Sequence, residues 1–267
     1  MRKITVFLLA ALLWACAGAA SAAEAKPEVV ALWIGKKDPL SKWARSYVMG
    51  RRPGTSVFVR IAKPDKQIVS VDEKACKLAA FTDDKGTDLA KAPKSRSPFG
   101  ASWLGLGTDI GDDGKTCLIE IRSQGTPAAG ARQLKIRASI VLRCGGEVKT
   151  AEARDVALAK GAKIAAGPVP MEISKVSKGR GDAKLEIEIK SSKSFETIKG
   201  LTFATGAGKV IKHRKTGSGR SGWGGKYTYT RTYLLYEEVR AVLVKVEYYD
   251  KIEKLSVPID LTTGVGL

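Results

Sequence analysis

The residues best suited to chemistry lie between Val210 and Tyr236. Lys212, His213, Arg214 and Lys215 lead into a glycine-rich run, Thr216-Gly217-Ser218-Gly219-Arg220-Ser221-Gly222-Trp223-Gly224-Gly225-Lys226, and Tyr227, Tyr229, Arg231, Tyr233 and Tyr236 follow. Cations interleaved with aromatic rings hold anionic polymers by charge and flat rings by stacking. The pattern predicts a hairpin with a long cationic, glycine-rich tip and a tyrosine row on its second strand. Its candidate ligand-binding residues are Lys212, His213, Arg214, Lys215, Arg220, Trp223, Lys226, Tyr227, Tyr229 and Arg231. Phosphate or sulfate groups would meet the cations, and Trp223 would stack on a ring. The plainer reading is a solvated hairpin tip whose tyrosines pack on a sheet.

Catalysis has little to stand on. His213 is the single histidine, so any Ser-His-Asp or Cys-His arrangement must use it, and it sits in a Lys- and Arg-rich run. Glu186/Glu188 and Glu237/Glu238 are the carboxylate pairs a glycan hydrolase would need, but the first pair alternates with apolar residues and reads as a solvated strand face. The run Gly217–Gly222 spells a dinucleotide fingerprint, yet a Thr/Tyr strand follows it where a helix is required. Gly111–Thr116 has Asp109 where a phosphate loop needs its first glycine, and Asp109, Asp112 and Asp113 lack the alternating spacing of a calcium loop. Arg180-Gly181-Asp182 reads as a turn. No enzyme, cofactor or metal site is expected.

Three cysteines lie beyond the N-terminal segment: Cys76, Cys117 and Cys144. Each shares parity with inward-facing neighbours. Cys76–Cys144 and Cys117–Cys144 are candidate disulfides, and buried thiols acting as small apolar residues are the alternative. With no C-x-x-C pair and one histidine, zinc is not expected.

The first residues address the chain. Met1-Arg2-Lys3 is a positive start, an apolar run reaches Ala15, and small residues follow to Ala23. The run is shorter than the roughly 20 residues of a membrane span. Residues 1–22 therefore read as a cleaved signal peptide, ending at Ala20-Ser21-Ala22. The rival is a lipoprotein box at Leu13-Trp14-Ala15-Cys16, which would lipidate Cys16. The expected location is the periplasm, the cell envelope or the exterior, with no transmembrane helix in the mature chain.

These residues must be positioned by strands. Leu185, Ile187 and Ile189 alternate with Lys184, Glu186, Glu188 and Lys190. The same period of two runs through Leu134–Leu142, Val242–Tyr248 and Leu255–Leu261, and it recurs in Val57–Ile61 and Cys117–Ile121. Pro258 marks its strand as an edge. Turn signals such as Gly145-Gly146, Asp113-Gly114 and Asp84-Lys85-Gly86 separate the runs. Weak helical spacing appears at Asp38–Met49 and Ala151–Ala159. The Ala/Gly/Pro-rich stretch Ala159–Pro170 reads as a linker. Phe81…Gly86 and Phe203…Gly208 share a spacing that hints at two related halves.

The fold class is therefore all-β, with an irregular or helical segment at 23–53 and β-sandwich domains at 54–160 and 161–267. The run closing with Tyr248-Tyr249-Asp250 and Val257-Pro258-Ile259-Asp260 resembles secreted bacterial tandem immunoglobulin-like β-sandwich proteins. That resemblance implies fold and assigns no activity. Net charge is +19, with 25 basic against 16 acidic residues over 23–160 and 19 against 11 over 161–267. So even a spread favours anionic surfaces without marking a specific nucleic-acid groove. The expected role is binding an anionic polysaccharide or envelope component. The alternative is a scaffold that grips a protein partner through a sheet edge such as the one bearing Pro258.

Overall fold

The computed structural model describes residues 24–35, 54–91, 103–104 and 109–265. The signal segment 1–22 with Cys16, and the helical spacing at Asp38–Met49, lie outside the described residues.

The described chain is all-β and antiparallel. Its first half holds β1 (Lys26–Gly35), β2 (Gly54–Ala62), β3 (Gln67–Val71), β4 (Lys77–Asp83), β5 (Asp109–Ile110), β6 (Thr116–Ser123), β7 (Gln133–Gly145) and β8 (Val148–Ala157). Its second half holds β9 (Lys163–Ile164), β10 (Met171–Lys178), β11 (Leu185–Ser191), β12 (Ile198–Ala204), β13 (His213–Trp223), β14 (Lys226–Leu235), β15 (Ala241–Tyr249) and β16 (Ile252–Gly264). Helix among the described residues is confined to single 3-10 turns at Leu89–Lys91 and Phe195–Thr197.

Alternation does what period two requires. Val57, Val59 and Ile61 on β2, Cys117, Ile119 and Ile121 on β6, and Leu134, Ile136, Ile140 and Leu142 on β7 enter one core. Ile187 and Ile189 on β11 and Val242, Val244 and Val246 on β15 enter a second. Each core lies between two sheets. The first lies between β1-β2-β6-β5 and β16-β7-β3, with β4 also on β7; the second lies between β13-β14-β11-β10-β9 and β12-β15-β8.

The division of the chain differs from the expected boundary at 160/161. β8, counted with the first half, pairs with β15 from Val148↔Tyr249 to Ala157↔Ala241. β16, counted with the second, pairs with β7 along its whole length, from Ile252↔Gly145 to Gly264↔Gln133, and sends Val257 and Ile259 into the first core. The second unit, β8–β15, is thus set between β7 and β16 of the first. The sequence could not show this because strand partners are chosen by long-range closure, not by local period.

Three smaller corrections follow. Lys26–Gly35 in the 23–53 segment is strand, paired with β2. Ala151–Ala157 is part of β8 rather than helical, because the ladder to β15 takes its backbone. The expected linker packs: β9 pairs with β10, and Ile164, Ala166 and Val169 are buried in the second core. Pro258 does sit on an edge strand, since β16 ends its sheet.

Between the units two strands cross in register. Gly146 N–H donates to Lys251 O at 3.0 Å and Asp250 N–H donates to Glu147 O at 2.9 Å, so the ladder continues through the junction. Gly145 allows it: a Cβ there would stand 2.3 Å from the Tyr249 ring. Side chains also bridge the units. Ser70 Oγ donates to Glu196 Oε1 at 2.6 Å, and Arg143 Nε stands 2.7 Å from the same oxygen, held by charge rather than by an aligned hydrogen bond.

Candidate functional site

The hairpin exists, but its glycine-rich run is strand rather than tip. β13 and β14 pair from His213↔Leu235 to Trp223↔Lys226, with one bulge between Lys215 and Gly217. The tip is only Gly224-Gly225, at φ +60° and +82°, the left-handed pair a two-residue hairpin turn demands. The expected long loop is wrong because Gly217, Gly219 and Gly222 lie in extended backbone that the Thr-rich partner strand holds in register.

Pairing splits the candidate residues between two faces. Opposed residues share a face and successive ones alternate. Tyr227, Tyr229, Arg231, Tyr233 and Leu235 therefore share one face with Gly222, Arg220 and Ser218. Tyr233 and Leu235 are buried in the second core, while Tyr229 is half-buried and Tyr227 exposed beyond it. Trp223 and Lys226 occupy the opposite face, with Ser221, Gly219 and Thr228, and Trp223 is 93% exposed. Trp223 therefore does not share a surface with Arg220 and Tyr229, against the expectation of one joint site.

Two candidates are engaged in holding the fold. His213 places Nδ1 2.8 Å from Ile211 O and Nε2 3.1 Å from Leu201 O, with its ring edge-on to Phe203 at 5.2 Å. Arg231 donates from Nη2 to Phe195 O at 3.0 Å and Ile198 O at 3.1 Å, and lies over the Phe195 ring at 4.9 Å. It closes the 3-10 turn at Phe195–Thr197. Lys212 rests over Tyr236 at 4.9 Å. Arg220 stacks 3.7 Å from the centroid of Tyr227, which occupies the guanidinium face and leaves its N–H edges open.

The face bearing Arg220 borders a cleft of about 740 Å³ between the units. Lys215, Ser218, Arg220 and Tyr229 line it from the hairpin, and Lys199 from the start of β12. Val69, Ile110 and Asp112 line it from the first unit. Its acidic residues are Asp112 and Glu196, and Glu196 is neutralised by Arg143. No described carboxylate stands within 4.0 Å of the charged atoms of Lys199, Lys215 or Arg220. Sequence reasoning missed Lys199 and the first-unit wall, because nothing local places those residues beside the hairpin.

The three cysteines are free and buried, so neither candidate disulfide is formed. Cys76 Sγ donates to Asp72 O at 3.3 Å and accepts the Val141 N–H at 3.2 Å. Burial pushes the Cys117 thiol up to about 11, with the nearby Cys144 adding to the rise, and burial also raises Cys76 and Cys144. Such thiols are core residues, not nucleophiles. The carboxylate pairs are dispersed in surface contacts: Glu186 with Arg180 at 3.3 Å, Glu188 with Ser174 at 2.6 Å, and Glu237 with Lys209 at 3.1 Å.

Compared with family models, with curated proteins and with solved structures, the chain matches none.

Proposed function

We propose that the chain is an exported, non-catalytic binding protein built of immunoglobulin-like β-sandwich units, and that it holds an anionic envelope component or polysaccharide. Export rests on the positive, apolar and small-residue order of its first residues. One observation carries the binding reading: Lys199, Lys215 and Arg220, none ion-paired among the described residues, line one cleft together with Tyr229. Cations with open donors beside an aromatic platform suit sulfate or phosphate on a ring-bearing chain.

The test is retention on immobilised heparin under a salt gradient. The triple variant Lys199→Ala/Lys215→Ala/Arg220→Ala is run beside a charge-matched control, Lys212→Ala/Arg214→Ala/Lys226→Ala. Elution of the cleft variant at clearly lower salt than the control supports a localised site. Equal shifts in both would reduce the effect to net charge and sink the reading.

A second reading, a scaffold gripped through a sheet edge, is favoured by the place of β13 at the end of its sheet with most of its residues exposed. In that case both triple variants keep their function, and Gly219→Pro in β13 removes it.

A further inference from the structure

The two units have one strand plan. In the first, the outer sheet runs β1-β2-β6-β5; in the second, β10-β11-β14-β13 runs in the same order. In the opposing sheets, β16-β7-β4 answers β8-β15-β12. Among these strands chain order agrees except for the closing one, while β3 and β9 stand outside the shared plan. The first unit is closed by β16, which follows the second unit, and the second is closed by β8, which follows the first.

A shared corner makes the likeness specific. Phe81 lies near the end of β4 and Phe203 near the end of β12, both fully buried. Two residues on, Asp83 N–H donates to Thr87 O at 3.1 Å, and Thr205 N–H to Lys209 O at 2.8 Å. Gly86 and Gly208 follow at φ +87° and +85°, donating back to Asp83 O and Thr205 O. The side chains repeat the pattern: Asp83 Oδ1 accepts Thr87 N–H at 2.8 Å and Thr205 Oγ1 accepts Lys209 N–H at 3.2 Å. The isolated bridges Thr82↔Asp88 and Ala204↔Val210 stand in the same places, and each is followed by a buried aliphatic, Leu89 and Ile211.

We propose that the units are copies of one sandwich that have exchanged their closing strands, which interlocks them. A tandem pair without exchange would fold β7 back on β8 through Gly145-Gly146, and β15 back on β16 through Asp250-Lys251. Both two-residue turns preserve parity: Ile140 would face Ala151, and Val244 would face Val257, so all four stay inward. Core filling decides against that arrangement. In the exchanged form the first core receives Val257 and Ile259 from β16, and the second takes the smaller Ala153 and Val156 from β8; without exchange the smaller pair would underfill the first core and the larger pair would crowd the second. Missing methyl groups in a core destabilise by their transfer energy and by the cavity they leave. The interlock also fixes the cleft, whose walls belong to both units.

The exchange is tested on the full, folded chain by cutting it between β8 and β9. A protease site is placed after Lys160, in the exposed turn at Lys160-Gly161. In a tandem without exchange that cut separates two complete sandwiches. In the exchanged form each fragment has a strand inside the other. The nicked protein is passed over a sizing column in 1 M salt, which removes charge pairing between units. A Ser139→Cys/Ser256→Cys variant reports the ladder itself, since those hydroxyls stand 2.8 Å apart on β7 and β16. One particle of intact size, whose fragments become joined by a disulfide under oxidation, is the expected result. Two separate fragments with no cross-link would overturn the proposal.

Discussion

Two long antiparallel ribbons differ in what covers them. The ribbon of β7–β8 against β15–β16 runs through both units, and both cores pack on it: Leu134, Ile136, Ile140 and Leu142 at one end, Val242, Val244 and Val246 at the other. The β13/β14 hairpin starts in the second core at Tyr233 and Leu235 and then outruns it, so its last pairs are bare. Both are built by alternation. A ribbon covered by a core serves stability, and a ribbon that extends past its core has side chains left for a ligand.

Damage to the covered ribbon should lower stability and leave binding intact. Ile136 is fully buried on β7. Ile136→Ala should cost about 2–5 kcal/mol by chemical denaturation, without changing heparin retention of the protein that stays folded. A cost under about 1 kcal/mol would mean the first core is not packed as described.

Next is the crossing point. Gly145→Ala forces a Cβ against the Tyr249 ring. We expect a loss of about 1–3 kcal/mol from overpacking, and partial recovery when Tyr249→Ala is added. No coupling in that double-mutant cycle would place the strain elsewhere.

Acid should act on the covered ribbon. Glu253, at the start of β16, is held down to about 2 by Lys251 first and Lys66 second. Its folded value is depressed, so its contribution to stability is complete above the ordinary value of 4.5 and is lost as pH falls toward about 2. NMR titration of the Glu253 carboxyl should follow that midpoint, and Lys251→Ala should raise it. A midpoint near 4.5 in the intact protein would show that the contacts do not form in solution.

The smallest effect belongs to the hairpin's far end. Trp223 is almost wholly exposed and lies on the face away from the cleft. Trp223→Ala should change stability by less than about 0.5 kcal/mol and leave heparin retention in place. A large drop in retention would move the site to the outer face.

Much of this was legible in the residues. Period two named the core: Val57, Ile136, Ile187 and Val244 are buried as their alternation requires. The hairpin at Val210–Tyr236 was legible from its glycines and tyrosines. Its two faces were not, because parity depends on where the turn falls, and a turn two residues long puts Trp223 opposite Lys226 rather than beside Arg220. His213 and Arg231 looked available because their acceptors, Leu201 O and Phe195 O, are distant in sequence.

Most strand positions, their inward faces, the even positive charge and the export-like start follow from the residues alone. All of these are local properties of neighbouring residues. The tertiary structure decided which strands pair, and so where the units divide and what stands around the cleft. Gly145-Gly146 can turn a strand back or let it run on. That choice is made far away, where Val257 and Ile259 fill a core that the smaller Ala153 and Val156 of β8 would leave underfilled.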